Sequence, residues 1–123
     1  PHTQAVAIVS PNQLHRTHAE LAAAHGKHIF LEKPIANTVE DGRAVVEAAR
    51  KAGVILQVGH HVRKYPVFRF AREQIESGKL GTLVGAEGNF TLPSGLDKNV
   101  PAWKTRKTSC PVVPLMQLGI HGI

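Results

Sequence analysis

The stretch that decides the fold is HIFLEKP, residues 28–34. Its first half is apolar and favours a β-strand, whereas Glu32 and Lys33 are charged and Pro34 cannot donate a strand hydrogen bond. A short apolar run that stops at charged residues is typical of a strand in a parallel sheet, because polar groups collect at the carboxyl ends of such strands. We therefore predict a strand over residues 28–32 that is followed by a polar turn.

Two similar runs flank this stretch along the chain. AVAIVS occupies residues 5–10, and VILQVGH occupies residues 54–60. Both are short and mostly apolar, which predicts two further strands, and AVAIVS is typical of a strand that is buried on both faces.

The two segments between these runs have helical periodicity. The first helix is predicted over residues 14–25, with Asn12 as its N-terminal cap and Gly26 as its stop. The second begins at TVED, residues 38–41, which has the form of a capping box, and it ends before Gly53. Strands and helices thus alternate in the order βαβαβ.

This order predicts an α/β fold. Right-handed crossovers place the three strands in parallel, as in one half of a doubly wound sheet. Ligands of such sheets bind at the carboxyl ends of the strands. The residues expected to carry function are therefore 10–15, 32–34 and 59–63.

The pattern changes after residue 60. Residues 67–75 predict another amphipathic helix, and the alternation in TLVGAEGNFTL, residues 82–92, predicts a half-exposed antiparallel strand. Residues 93–111 have the composition of a polar loop. We interpret residues 60–65 as a domain junction.

Composition indicates about one domain's worth of ordinary globular chain. Of its 123 residues, 42% are hydrophobic and 20% charged, and no apolar run approaches the roughly 18 to 20 residues of a membrane-spanning helix. The sole cysteine, Cys110, excludes an internal disulfide and suits a reducing compartment, so the cytoplasm is the expected location. Because the chain begins at Pro1 and stops at Ile123 within an apolar stretch, we expect a piece of a longer protein, with an upstream signal left open.

The net charge of +6 raises the question of a polyanionic partner. The cations are scattered, and the densest group, in WKTRKTS at residues 103–109, is short, so a solvated loop or a phosphate-facing edge is favoured over a nucleic-acid site. Tyr65, Phe68 and Phe70 are interpreted as core residues instead of a stacking platform for bases. No nucleic-acid or membrane partner is predicted.

The histidines raise the question of a metal site. HRTH, residues 15–18, has its two histidines at helical spacing, and His60 and His61 are adjacent. No acid or cysteine completes a ligand set at a familiar spacing, so capping, core packing or cofactor contact is favoured over zinc.

Five motifs in order resemble the glucose-fructose oxidoreductase and inositol dehydrogenase family, Gfo/Idh/MocA. They are SPNQLH (10–15), GKHIFLEKP (26–34), VGHHVRKYP (58–66), IESGKLGTLVGAE (75–87) and LMQLGIH (115–121). The chain contains no G-x-G-x-x-G motif, which normally marks the pyrophosphate site of a nicotinamide-binding sheet.

The resemblance implies an NAD(P)-dependent oxidoreductase that acts on a sugar, a polyol or a related hydroxyl compound. Residues 1–62 would form the second half of a Rossmann-type dinucleotide-binding domain, and residues 63–123 would begin an α/β substrate domain with an open antiparallel sheet. A homo-oligomer formed through that open sheet is also implied.

The resemblance also implies roles for individual residues. Lys33, His121 and Gln117 are the candidate catalytic residues. The substrate contacts would be Lys33, Tyr65, Trp103 and His121. The cofactor contacts would be Ser10, Pro11, Asn12, His15, Glu32, Lys33, Pro34 and Arg63, with NAD or NADP as the cofactor.

Two departures from the family pattern bear on the chemistry. Gln117 stands where the family has an aspartate, and CPVVP, residues 110–114, replaces a glycine-rich lead-in. The spacing of four puts Gln117 and His121 on one face of a helix, but an amide stabilises an imidazolium much less than a carboxylate does. We expect Lys33 and His121 to share the proton transfer.

Two alternatives remain open. The lost aspartate also fits a non-enzymatic NAD(P)-binding sensor or regulator of the same fold, and a chain that lacks the glycine-rich turn would be an inactive truncated fragment. A separate hypothesis is that the peptide bond between Lys33 and Pro34 is cis, a rare form even before proline.

Overall fold

The computed structural model describes residues 2–89, 99–112, 116 and 119–122, and of His121 it describes the backbone only. Its strands are β1 (Ala5–Ile8), β2 (His28–Leu31) and β3 (Leu56–Val58). Its α-helices are α1 (His15–Ala24), α2 (Val39–Ala52), α3 (Pro66–Glu76) and α4 (Ala102–Thr105). Short 3-10 helices cover Asn12–Leu14, His61–Lys64 and Gly119–Gly122.

The three strands form a parallel sheet in the order β1-β2-β3. Ala5 pairs with His28, and Ile29 pairs with Leu56, so β2 lies in the centre. The predicted α/β fold with parallel strands is confirmed.

The core lies between the sheet and the helices α1 and α2. Its buried residues come from all of these elements except β3: Ile8, Ala19, Ala22, Ala23, Ile29, Leu31 and Val45. Leu56 of β3 packs against this cluster. Since successive crossovers of one hand move along the sheet in one direction, they place both helices on the same face.

The prediction that AVAIVS forms a strand buried on both faces is wrong for this chain, because Ala5 and Ala7 of β1 are exposed. Burial alternates along β2, where Ile29 and Leu31 face the core while His28 and Phe30 are exposed. The described helices cover one face of the sheet, and the apolar side chains on the other face have no covering element in the described residues.

The ends of the helices follow the sequence signals closely, with one exception. Gly26 and Gly53 adopt the left-handed conformation that ends α1 and α2, with φ of 65° and 66°. Thr38 Oγ1 accepts a hydrogen bond from the backbone N–H of Asp41, as the cap of α2 requires. Asn12, in contrast, caps nothing, because its side chain is buried and contacts Cys110 instead.

The region after residue 60 departs from the prediction in two respects. Residues 82–89 form no strand, and residues 90–92 of the expected antiparallel strand lie outside the described residues. Helix α3 forms where predicted, but it buries none of its side chains, so Tyr65, Phe68 and Phe70 are exposed and do not belong to the core. Both differences have the same physical reason. Within the described residues, no antiparallel sheet is present with which residues 82–89 could pair or on which α3 could pack.

Candidate functional site

The carboxyl ends of the strands bring three short segments to one edge of the sheet. The backbone N–H of Glu32 donates to Ile8 O at 2.9 Å, and that of Gly59 donates to Leu31 O at 2.8 Å. These bonds extend the pairing just beyond the strands, so Glu32 and Gly59 are held by main-chain hydrogen bonds and not by side chains alone. The prediction that residues 32–34 and 59–63 start at a common edge is confirmed.

Lys33 follows the central strand at this edge and is half-buried. Burial lowers the pKa of Lys33, because removal from water disfavours the charged ammonium group. The carboxylate of Glu32 opposes that effect, and the cation of Lys104 lowers the pKa of Lys33 further. At a given pH, a larger fraction of this amine is therefore neutral, the form that can act as a proton acceptor, than for an ordinary surface lysine.

The carboxylate of Glu32 lies against the chain at the end of the neighbouring strand. Its Oε2 accepts a hydrogen bond from the backbone N–H of Lys33 at 3.1 Å. A Cβ atom on Gly59 would lie 3.0 Å from Glu32 Oε1 and 3.3 Å from Phe30 Cζ. Gly59 thus leaves the room that the Glu32 side chain occupies, a requirement that the sequence signals did not reveal.

The turn after Lys33 is tied to the loop after β1 through His15. The Lys33–Pro34 peptide bond is cis, which confirms the hypothesis drawn from the sequence. The carbonyl oxygen of Pro34 lies 2.8 Å from His15 Nδ1, and the carbonyl oxygen of Ser10 lies 2.9 Å from His15 Nε2. The imidazole is only 1% exposed, so it connects two turns from inside the protein.

A segment far along the chain docks beside this edge. Cys110 is fully buried, and its Sγ lies 3.6 Å from the side-chain nitrogen of Asn12. Ser109 O accepts a hydrogen bond at 2.9 Å from the side chain of Asn37, which follows the Pro34 turn. These contacts join positions that are 98 and 72 residues apart, and no sequence pattern marked Asn37 or Cys110 as part of the site.

The predicted cofactor contacts divide into two groups. Ser10, Pro11, Glu32 and Lys33 are partly exposed at the edge of the sheet, whereas Asn12, His15 and Pro34 are buried behind it. Both nitrogens of His15 face backbone carbonyls, and the residue is buried. Arg63 is exposed on the 3-10 helix that follows β3.

The predicted substrate contacts are not all brought together by the described residues. Tyr65 is exposed after the 3-10 helix His61–Lys64, and its ring lies 5.9 Å from that of His61. Trp103 belongs to α4, where the ammonium of Lys104 lies 5.6 Å from its ring centroid. Gln117 and the side chain of His121 lie outside the described residues.

An apolar cavity of about 760 Å³ adjoins the edge of the sheet. Its lining includes Pro34 and His60 from the strand ends, and Met116 and Ile120 from the end of the chain. Ile120 belongs to the 3-10 helix Gly119–Gly122, which also contains His121 in its backbone. The turn that carries His121 thus lines the same cavity as the turn that follows Lys33.

Two of the histidines that raised the question of a metal site contact polar groups of the protein. His18 Nδ1 lies 3.0 Å from the hydroxyl oxygen of Ser10, and His15 contacts the two carbonyls described above. No group of three or more His, Cys, Asp or Glu side chains within the described ranges is arranged to hold a metal ion. In the same ranges, every helix is too short or too polar to cross a membrane.

Comparison with known proteins supports one family. A family model described as an oxidoreductase family with an NAD-binding Rossmann fold, GFO_IDH_MocA, matches residues 1–60. The chain is 42% identical over 121 residues to a 1,5-anhydro-D-fructose reductase of Ensifer adhaerens, covering 98% of this chain and 36% of that enzyme. It is 32% identical over 124 residues to a levoglucosan dehydrogenase of Pseudarthrobacter phenanthrenivorans, covering all of this chain and 32% of that enzyme.

Solved structures agree with the sequence matches. An NAD-binding oxidoreductase from Klebsiella pneumoniae superposes with a TM-score of 0.86 at 37% identity, over 96% of this chain and 32% of that one. Levoglucosan dehydrogenase in complex with NADH and levoglucosan superposes with a TM-score of 0.88 at 31% identity, with the same coverage. The chain spans about a third of the length of the relatives it matches.

Proposed function

Because the chain belongs to the Gfo/Idh/MocA family of oxidoreductases, we propose that it supplies part of the active site of an NAD(P)-dependent oxidoreductase. That enzyme transfers hydride between a nicotinamide cofactor and a hydroxyl-bearing carbon of a sugar, a polyol or a related compound. The observation that carries the proposal is the position of Lys33, a half-buried amine of lowered pKa at the carboxyl end of the central strand.

The residues at the edge of the sheet fit a dinucleotide cofactor. Ser10, Pro11 and Glu32 are partly exposed there. Gly59 has no side chain, so it leaves space beside its backbone at this edge. When bound, the nicotinamide accepts or donates the hydride. Asn12 and His15 support this surface from behind, and whether the cofactor is NAD or NADP depends on residues outside this chain's motifs.

The chain's own residues provide the acid–base chemistry in this proposal. A neutral Lys33 amine accepts the proton of a substrate hydroxyl, and its ammonium form polarises a carbonyl oxygen in the reverse direction. His121 shares the proton transfer, and Gln117 orients it by hydrogen bonding without adding negative charge. Lowering the pKa of Lys33 by burial increases the fraction of neutral amine near neutral pH.

Five further features of the enzyme are part of the proposal. Tyr65 and Trp103 contact the substrate, Arg63 lies beside the cofactor, and residues 63–123 begin the substrate domain. Subunits associate through the open sheet of that domain, and the enzyme acts in the cytoplasm. The named substrates of the relatives, 1,5-anhydro-D-fructose and levoglucosan, support a sugar-like substrate.

A second candidate function is an NAD(P)-binding sensor or regulator. The observation that favours it is Gln117 at the family's aspartate position, because a neutral amide weakens the proposed proton acceptor. Titration of the full-length protein with NADH and NADPH, followed by fluorescence, tests both candidates. Binding without turnover of any sugar or polyol in a broad panel supports the sensor, and absence of binding contradicts both.

The role of Lys33 is tested by Lys33→Met in the full-length enzyme. We expect kcat to fall by about 10²- to 10⁴-fold, since the proton acceptor is lost, while NADH binding is retained. In the wild type, alcohol oxidation should increase with pH through a midpoint below 10.5, the ordinary value for lysine, because the neutral amine is the active form. Steady-state kinetics as a function of pH measure both effects.

Lys79→Met is the matched control, because Lys79 is an exposed lysine after α3. It should leave kcat and the pH profile unchanged. Full activity of the Lys33→Met enzyme would remove Lys33 from the mechanism.

A further inference from the structure

We propose that His15 is a positioning residue, which fixes the Lys33 turn at the edge of the sheet by bridging the carbonyl groups of Ser10 and Pro34. This inference rests on the proposed function of Lys33. It gives His15 a role different from the cofactor contact that the family resemblance implies.

The geometry of the bridge carries the first step. His15 is the first residue of α1, and its imidazole reaches Pro34 O at 2.8 Å and Ser10 O at 2.9 Å. A carbonyl oxygen only accepts hydrogen bonds, so whichever ring nitrogen carries a proton donates to one of the two turns. The neutral ring thus donates one hydrogen bond and packs its other nitrogen against the second turn, whereas the doubly protonated ring donates to both carbonyls.

Burial makes this bridge energetically important. His15 is 1% exposed and Pro34 is buried, so in the folded protein the imidazole, and not bulk water, is the neighbour of the Pro34 carbonyl. Pro34 itself has no N–H, so its carbonyl is the polar backbone group of this residue that can form a hydrogen bond with the His15 ring. Loss of the imidazole leaves a cavity and a buried carbonyl without its donor.

The bridge acts on Lys33 because Lys33 directly precedes Pro34. The half-buried position of the Lys33 side chain depends on where this turn lies, and its charged neighbours are Glu32 and Lys104. If the turn moves outward, Lys33 gains water and moves away from the cation of Lys104. Both changes return the pKa of Lys33 towards the ordinary lysine value.

The experiment compares His15→Ala and His15→Gln with the wild type in the full-length protein. Lysines are reductively methylated with ¹³C, and the signal of Lys33, assigned with Lys33→Arg, is titrated by NMR without substrate. We expect the midpoint to shift upward in His15→Ala. His15→Gln, whose amide can donate to one carbonyl, should show a smaller upward shift.

Kinetics provide the second readout. In His15→Ala the rate of alcohol oxidation should reach its midpoint at higher pH than in the wild type, and kcat should fall by about 100-fold, as for a catalytic group displaced by about 1 Å. The KM for the cofactor should change little, because the ring lies behind the surface. A rise in the cofactor KM with an unchanged kcat would instead make His15 a cofactor contact and overturn the proposal.

Ala23→Gly is the control for a merely structural role. Ala23 is buried in the same helix, about 12 Å from His15 at the rise of an α-helix, and the change costs about 1 kcal/mol. It should lower stability without moving the Lys33 titration. An unchanged Lys33 midpoint in a folded His15 variant contradicts the positioning role.

Two features keep the outcome decisive. If neither His15 variant folds, hydrogen exchange of the His15 ring N–H in the wild type decides, since a bridging N–H should be protected and rapid exchange contradicts the bridge. If Lys33→Met proves fully active, the proposed function fails, but the NMR titration still reports whether His15 positions Lys33.

Discussion

At the scale of single residues, the edge of the sheet combines one lysine with the groups that set its charge. Burial and Lys104 lower the pKa of Lys33, and Glu32 raises it. The Glu32 carboxylate is itself placed by the Lys33 N–H and by the open space over Gly59. In FLEKP, the carboxylate of Glu32 thus opposes the lowering of the Lys33 pKa by burial.

Replacement of Gly59 by alanine tests this arrangement. The new Cβ would lie 3.0 Å from Glu32 Oε1, so we expect the carboxylate to move away and the pKa of Lys33 to fall further. This change is opposite in sign to the one expected for His15→Ala. Stability should decrease by about 1 kcal/mol, the value of one hydrogen bond.

The Lys33 titration by NMR and urea unfolding measure the two effects of Gly59→Ala. Gly88→Ala is the control, because a Cβ at Gly88 meets no atom within 4 Å. A Lys33 midpoint that stays constant in Gly59→Ala would show that Glu32 does not depend on this glycine.

At the scale of elements, the first turn of α2 combines a local capping bond with a contact to another helix. Thr38 caps its first turn, but Asp41 uses its carboxylate to pair with Arg16 of α1 at 2.9 Å, so only half of a capping box forms. That ion pair is exposed and contributes little stability, although it crosses from one helix to the other. Further along α2, the guanidinium of Arg50 lowers the pKa of Glu47 to about 2.

Removal of the cap by Thr38→Ala should lower the free energy of unfolding by about 1 kcal/mol, since the N–H of Asp41 loses its acceptor. Urea unfolding of the full-length protein measures this difference. Thr17→Ala, an exposed change within α1, should be neutral or slightly stabilising, because alanine favours the helix interior. Equal effects of the two changes would contradict the capping role.

At the scale of the whole molecule, a late segment of the chain contacts residues from its first third beside the edge of the sheet. Asn12 contacts Cys110, and Asn37 binds the carbonyl of Ser109. Helix α4 precedes this contact and brings Lys104 close enough to affect the pKa of Lys33. The docked segment therefore helps to determine the chemistry of a residue that belongs to the sheet.

The docking predicts the reactivity of Cys110. The thiol is fully buried, so the native full-length protein should react slowly with a maleimide. Asn12→Ala should increase the rate about fivefold, which corresponds to the loss of about 1 kcal/mol of hydrogen bonding. Gln13→Ala changes an exposed neighbour and should leave the rate unchanged, whereas rapid labelling of the wild type would contradict the docked segment.

Most of the parallel sheet could be predicted because its signals are local. Apolar runs, the Thr38 cap and the glycines at positions 26 and 53 each act within a few residues, and their order implies parallel strands. The predicted strand over residues 82–92 depends instead on a partner strand that is distant along the chain, and the part of the chain that the structure describes contains only the parallel strands β1, β2 and β3. The family motifs indicated Lys33 as a candidate catalytic residue, but they did not reveal that the His15 ring contacts two turns.

The sequence by itself determined where the three parallel strands and the helices α1, α2 and α3 lie, and that Lys33 stands at the end of the central strand. Only the tertiary structure decided which face of the sheet is covered, that Asn12 binds Cys110 instead of capping α1, and that His15 joins two turns from inside. The physical reason is the separation along the chain of the residues that interact. Capping and periodicity depend on neighbours along the chain, whereas burial, the pKa of Lys33 and the partners of a buried imidazole depend on residues that only folding brings together.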